Sequence, residues 1–259
     1  MKSSLRVTFL GTGTSQGIPI IGSTHPVCLS DDPKDKRLRV SIQLHWDDHY
    51  VVVDCGPDFR QQMLRVGQRQ LDAILLTHEH SDHTAGLDDI RPFFFRQGDI
   101  PFYAEPRVFS ALHERFAYIF ETENKYPGAP TIQEHEINVD TSFELFGKSV
   151  TPIRVLHGEL PILGYRIDNF AYLTDVKSIP DSEIEKLQNL DALVISALRV
   201  EPHYTHLNLE EAIALAQRIN PKSTYFTHIS HLMGFHSEVS KDLPENIYLA
   251  YDNLQLNFN

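Results

Sequence analysis

Apolar runs that stop at a ligand-type side chain recur along this sequence. RVTFLG (Arg6–Gly11) alternates and ends in glycine, as a strand entering a turn does. GTGTSQGIP follows and reads as a flexible loop, with GTGTSQG, which lacks the lysine of a phosphate-binding P-loop, as a tight turn. VSIQLHW (Val40–Trp46) and YVVVDCG (Tyr50–Gly56) flank Asp47, Asp48 and His49, a pattern that predicts a hairpin. A helix is expected from Pro57 to Val66, then a buried strand in DAILLTH, then a further helix within GLDDIRPFFFRQ.

The second half repeats this alternation. SVTPIRVLHG (Ser149–Gly158), LGYRID (Leu163–Asp168) and FAYLTD (Phe170–Asp175) read as successive strands. DSEIEKLQNL (Asp181–Leu190) has helical spacing, and DALVISAL (Asp191–Leu198) reads as another buried strand. NLEEAIALAQRI (Asn208–Ile219) is an amphipathic helix with Asn208 as its cap. STYFTH is a strand ending at His228, and IYLAYDNLQLNF predicts a closing hairpin. With no linker, repeat or low-complexity block, the expectation is one α/β domain over residues 1–259, its sheets sandwiched between helices.

Composition narrows the function classes. At 41% hydrophobic and 22% charged residues, the 259-residue chain has the makings of a packed core, which excludes disorder. A formal net charge of −12 argues against wrapping extended nucleic acid or coating an anionic membrane, but leaves room for a small phosphorylated substrate. Cys28 and Cys55 are too few for a disulfide framework. MKSSLRVTFLGTG lacks the plan of a signal peptide and no apolar run has the length of a membrane span, so the expected location is cytoplasmic.

The chemistry collects where strands end. His78, His157, Asp175 and His228 each close an apolar run, and open-sheet proteins place ligands beyond the carboxyl ends of strands. His80, Asp82 and His83 follow His78 immediately. These seven donors exceed the needs of one tetrahedral zinc and suit two metals sharing a carboxylate. A lone His157 could equally be a hydrogen-bonded structural group, and Asp175 a turn cap. HEHSDH lacks the H-E-x-x-H spacing that aligns two histidines on one helical face, which excludes a helix-borne zinc-protease site.

THEHSDH resembles the H-x-H-x-D-H motif of the metallo-β-lactamase superfamily, and His157, Asp175 and His228 follow in that family's order. LGTGTSQGIP, DCGPDFRQQ, GLDDIRPF and THISH extend the resemblance, most closely to phosphodiesterases of the PhnP type, relatives of the tRNA 3′-processing endonucleases. The resemblance implies a four-layer αβ/βα sandwich. It implies one metal held by His78, His80 and His157, and another by Asp82, His83 and His228, with Asp175 bridging. Zinc and manganese both suit these ligands, and iron is an option. Glu79 is expected to be a solvated or outer carboxylate. Within VEPHYTHLNLEEA, the resemblance assigns a catalytic role to His206, with His203 as the alternative; without it, His206 could be a plain helix-entry residue.

The resemblance also marks a departure. Relatives carry a C-x-C-x-x-C run that binds a structural zinc, where this chain has Ser23, His25 and Cys28, with His231 as the later partner. His25, Cys28 and His231 retain ligand chemistry for an additional structural zinc, Ser23 does not, and a metal-free loop is the alternative.

The expected activity is hydrolysis of a small phosphodiester, such as a 2′,3′-cyclic nucleotide or a ribose cyclic phosphate. Asp82 would orient the nucleophile and His206 would serve the leaving oxygen. The alternatives are a tRNA 3′-processing-type endonuclease, a thioester or sulfate hydrolase, an iron oxygenase, and, last, a non-catalytic binding protein. No basic arm for tRNA is visible in the sequence. A homodimer is implied by the resemblance alone. Arg91 could meet phosphate and Phe93–Phe95 a base, although core or dimer contacts are the plainer role for the phenylalanines. Glu121–Thr131 could be a lid or an ordinary surface loop.

Overall fold

The computed structural model describes residues 4–258. The first half of the chain runs β1 (Leu5–Gly11), α1 (Pro26–Leu29), β2 (Ser41–Trp46), β3 (His49–Val53), α2 (Phe59–Val66) and β4 (Ala73–Leu75). It continues with α3 (Ser81–Thr84), α4 (Arg91–Gln97), β5 (Ile100–Ala104), α5 (Pro106–Arg115), α6 (Ala117–Phe120) and β6 (Ile132–Glu136). The second half runs β7 (Phe143–Leu145), β8 (Lys148–His157), β9 (Leu160–Ile167), β10 (Phe170–Leu173), α7 (Asp181–Glu185) and β11 (Ala192–Ser196). α8 (Leu209–Ile219), β12 (Thr224–Thr227), α9 (His236–Asp242), β13 (Ile247–Leu249) and β14 (Gln255–Phe258) complete it. Among the described residues no helix is long and apolar enough to cross a membrane.

The chain divides into two compact units. The first comprises residues 4–10, 41–138 and 255–258. Its sheet has the strand order β14-β1-β2-β3-β4-β5-β6. β2 and β3 form the expected antiparallel pair, with Ile42 opposite Val53. From β3 onward each strand joins its neighbour in parallel, and helices carry the crossovers. Val52, Ile74 and Phe102 pack with Phe59 and Met63 of α2 and with Phe109 and Leu112 of α5, making one apolar core.

The second unit comprises residues 11–40 and 139–254, and its sheet has the order β13-β12-β11-β10-β9-β8-β7. β8 and β9 are antiparallel, and β10 to β13 run parallel. α8 turns Ala212, Ala216 and Ile219 onto Leu193, Ile195 and Phe226 of this sheet, the i, i+4, i+7 stripe of an amphipathic helix. Its first turn carries a capping box: Asn208 accepts the Glu211 N–H, and the Glu211 carboxylate accepts the Asn208 N–H. Asn220 ends it in a left-handed conformation.

Two expectations need correction. IYLAYDNLQLNF is not a hairpin: β13 pairs parallel with β12, and β14 pairs antiparallel with β1. A local turn does close between them, with the Leu254 N–H donating to the Tyr251 carbonyl oxygen at 3.1 Å, but the strands on either side belong to different sheets, and the Asp252 carboxylate accepts the Thr12 hydroxyl at 2.8 Å and the Leu38 N–H at 2.9 Å. GTGTSQGIP is not loose either. The Gly13 N–H donates to Leu38 O, the Thr14 N–H to Ile229 O, and the Ile18 N–H to Arg37 O.

Gly164 on β9 tests the packing. A Cβ there would lie 2.2 Å from Leu173 Cδ2 and 2.8 Å from the Tyr172 carbonyl oxygen. Gly164→Ala is expected to cost about 1–3 kcal/mol, read as a lowered midpoint in thermal or urea denaturation.

Candidate metal centre

In the first unit the apolar strand β4 delivers Leu76, Thr77 and His78, all fully buried, to its carboxyl end. The chain then turns into α3, whose first residues are Ser81, Asp82 and His83. The short link between β4 and the four-residue α3 brings His83 back against His78, their ring centroids 4.2 Å apart. His78 Nε2 lies 3.0 Å from His80 Nδ1, and His83 Nε2 lies 3.3 Å from Asp82 Oδ2.

Asp54 organises this cluster and was not singled out in the sequence. It follows β3 with φ +65° and is fully buried. Its carboxylate accepts the Thr77 N–H at 2.8 Å, the Thr77 hydroxyl at 2.9 Å and His83 Nδ1–H at 2.7 Å. Since the Thr77 proton is directed to Asp54, the same hydroxyl oxygen accepts Nδ1–H of His78 at 2.9 Å. One carboxylate thereby sets the tautomer of two histidines and makes Nε2 the ligand-capable nitrogen of each. Burial pushes the Asp54 carboxyl above its ordinary range, against the opposing pull of His83 and Thr77. The sequence signal was available: an acidic residue closing the buried run YVVV.

Two arginines of α5 brace the same loop. Arg107 grips the Glu79 carboxylate, at 2.6 Å from Oε1. Arg115 reaches the Glu79 carbonyl oxygen and, at 3.4 Å, the Thr84 hydroxyl. Glu79 is therefore an anchored outer carboxylate. Arg91 is engaged by Asp88, which also accepts the Tyr118 hydroxyl, and this ties it into the protein. Phe93 is buried against Phe59, whereas Phe95 is 61% exposed.

The second unit carries its own cluster. Asp175 and His228 each lie just beyond a strand in left-handed conformations, φ +54° and +55°, and each is 1% exposed. His228 Nε2 lies 2.8 Å from Asp175 Oδ1. His206 Nδ1 lies 3.4 Å from the same oxygen, and its ring stacks on His228 at 4.9 Å. His157, at the end of β8, donates Nδ1–H to the Thr205 carbonyl oxygen at 2.9 Å, which again makes Nε2 the ligand-capable nitrogen. Thr205 is steadied by His203, whose Nδ1 accepts the Thr205 N–H at 3.3 Å. His203 thus has a supporting place and His206 the inner one. Burial, then the neighbouring His228, push the His206 imidazole down to about 3, although Asp175 opposes this.

A divalent metal fits these donors. Asp82 and His83 present ligand atoms within 4.8 Å of one another, as do Asp175 and His228, and buried nitrogens and carboxylates at such spacing call for a cation. The expected structural-zinc residues all lie in the second unit. His25 and His231 meet edge to face at 4.8 Å. Cys28 is buried beside Ile18 and Val27. His25 also caps α1, with Nδ1 accepting the Val27 N–H at 3.3 Å.

Comparison with known proteins bears on this geometry. Residues 49–229 match the family described as Beta-lactamase superfamily domain, and the chain belongs to that superfamily; each of its two units contributes one mixed sheet flanked by helices. Within it the chain belongs with the PhnP family: the crystal structure of a new diphosphatase from that family is 43% identical, superposes with a TM-score of 0.92, and covers 98% of this chain and 97% of its own. An octanoyltransferase of Porphyromonas gingivalis (strain ATCC BAA-308 / W83) is 41% identical over 253 residues, 97% of this chain, and the chain spans about half the length (51%) of that relative. A ribonuclease Z of Mycobacterium bovis (strain BCG / Pasteur 1173P2) is 24% identical over 261 residues, covering 89% of this chain and 88% of its own.

If Asp54 orients His83 and His78, Asp54→Asn will weaken metal affinity by about 10–100-fold without unfolding the chain. Competition with a chromogenic chelator, alongside circular dichroism, checks this; unchanged affinity would show that Asp54 is only a packing residue.

Proposed function

We propose that this metallo-β-lactamase-fold hydrolase is a dinuclear metal-dependent phosphodiesterase acting on small, including cyclic, phosphodiesters. In this reading His78, His80 and His157 would hold one metal and Asp82, His83 and His228 the other, with Asp175 shared between them. Zinc and manganese both suit the donor set. The observation that carries the proposal is His206, an uncommitted ring beside Asp175 in a cluster whose other members all have ligand roles. The likeness to a PhnP-family diphosphatase supports hydrolysis at phosphorus.

When bound, the metals supply Lewis acidity and lower the pKa of water. The protein's own part is positional. Asp54 and Thr205 fix the imidazoles, so the donor atoms need little reorganisation on binding. Asp82 and Asp175 place negative charge where a water proton must be drawn off. His206 offers an N–H to the leaving oxygen, a hydrogen bond worth most as charge builds there.

The diphosphatase relative favours one further reading, cleavage of a phosphoanhydride by the same residues. Acyl transfer is not carried over from the octanoyltransferase, because about half of that protein lies outside the match. The acidic net charge supports a compact substrate over tRNA. A cytoplasmic homodimer completes the proposal.

The test is hydrolysis of an aryl phosphodiester and of a nucleotide diphosphate by protein loaded with zinc or manganese, with Asp82→Ala/His83→Ala as the blank. Metal-dependent turnover of the diester is the expected result. Turnover of the diphosphate alone would move the assignment to the anhydride, and no turnover of either with both metals bound would refute it. His206→Ala should retain its metals by elemental analysis and lose about 10²–10⁴-fold in kcat/KM.

A further inference from the structure

The second unit contains a cavity of about 280 Å³, bordered by β12, β13, α9 and the turn after β13. None of the metal-ligand residues lines it. Its polar and aromatic walls are Lys34, Tyr225, His236, Ser240, Tyr248 and Tyr251. Tyr225 and Tyr248 are stacked, 5.4 Å between centroids at 28°. Tyr248 is 47% exposed, so this pair presents ring surface to solvent. The Lys34 ammonium sits 4.6 Å from the Tyr251 ring centroid, and His236 meets the same ring edge to face at 5.8 Å.

The electrostatics of this cavity run against those of the chain. The protein has 35 acidic residues, yet no carboxylate lines the cavity. Three carboxylates on neighbouring residues are held by the protein itself: Asp32, half-buried beside Lys34, accepts the Lys34 backbone N–H at 2.8 Å. Asp35 accepts the His236 backbone N–H at 2.8 Å and the Ser30 hydroxyl at 2.6 Å, and Asp252 accepts from Thr12 and Leu38. Behind His236 lies Arg37, 3% exposed, which donates to Thr12 Oγ1 at 2.8 Å and to the Ala250 carbonyl oxygen at 2.6 Å.

Arg37 also fixes the histidine. Its Nη2 lies 3.2 Å from His236 Nδ1. A guanidinium only donates, so Nδ1 accepts and the ring proton sits on Nε2. Burial, then Arg37 and Lys34, push the His236 imidazole down to about 4 against the opposing pull of Asp32 and Asp35, so without a ligand it is neutral at neutral pH. The cavity therefore combines exposed aromatic surface with an ammonium, an imidazole N–H and the Ser240 hydroxyl, backed by a buried positive charge.

We propose that this cavity binds a nucleoside monophosphate, its base stacked on the Tyr248–Tyr225 pair and its phosphate received by Lys34 and His236. Every base offers a π-face to such a pair, so selection falls on the presence of a base and a phosphate and not on base identity. The proposal stands apart from the catalytic reading, because it uses none of the metal ligands and none of their supporting residues.

The test is calorimetric titration of AMP into the full chain, with adenosine and ribose 5-phosphate as half-ligands. Asp82→Ala/His83→Ala removes binding at the metal ligands, and Lys34→Met and Tyr248→Ala remove the cavity contacts. AMP is expected to bind the metal-ligand variant as it binds the parent, to lose at least about tenfold in affinity with either cavity variant, and to bind more tightly than either half-ligand. Tyr248→Phe should restore binding, which separates loss of the ring from loss of the fold. Loss of AMP binding in Asp82→Ala/His83→Ala, or equal binding in parent, Lys34→Met and Tyr248→Ala, would overturn the proposal.

Discussion

The Asp54 carboxylate is the constraint on which the histidine–aspartate cluster of the first unit depends. It is fully buried, takes three hydrogen bonds, and through them fixes a threonine and two histidines. A buried charge left without partners would cost several kcal/mol. With Thr77 and His83 against it, the same group becomes a rigid reference for the loop from His78 to Thr84. Arg107 and Arg115 hold that loop from its outer side through Glu79 and Thr84, so it is gripped from within by a carboxylate and from without by two guanidiniums.

The second unit solves the same problem with backbone. The Thr205 carbonyl oxygen orients His157, and His203 steadies Thr205. Downstream, the Val176 N–H donates to Ser196 Oγ and the Ile229 N–H to Thr12 O, pinning the chain beside Asp175 and His228. α8 begins three residues after His206, with a capping box whose Glu211 also pairs with Lys177. Helix formation, strand pairing and placement of the histidine are thereby parts of one local solution.

Residues that announce themselves by type were legible in the sequence. His78, His80, Asp82 and His83 stand out because such groups rarely follow a buried strand without a function, and the periodicity of α8 and its cap is plain in NLEEAIALAQRI. Asp54 does not announce itself in this way, because an acid at a strand end is the ordinary signal of a turn; only its hydrogen bonds distinguish it. β5 (IPFYA) is interrupted by Pro101 and β6 (IQEHE) has a single apolar residue, so neither carries the pattern of a strand. The closing segment misled for a different reason. Its Asp-Asn pair does form a turn, but the strands on either side pair with β12 and β1, and Asp252 holds Thr12 and Leu38, more than two hundred residues away in sequence; no local pattern encodes such partners.

Asp54, Asp175 and His228 share one backbone habit, φ between +54° and +65° just past a strand. Among side chains bearing a Cβ, Asn, Asp and His adopt this region most readily, and β-branched residues strain against it. The chain path itself therefore restricts which side chains can stand at these three places. In a library that randomises them, survivors should cluster on Asp, Asn, His and Gly, whatever metal or substrate is used for selection. Diversification of this scaffold would have to come from the loops around those positions, where the backbone leaves side-chain choice open.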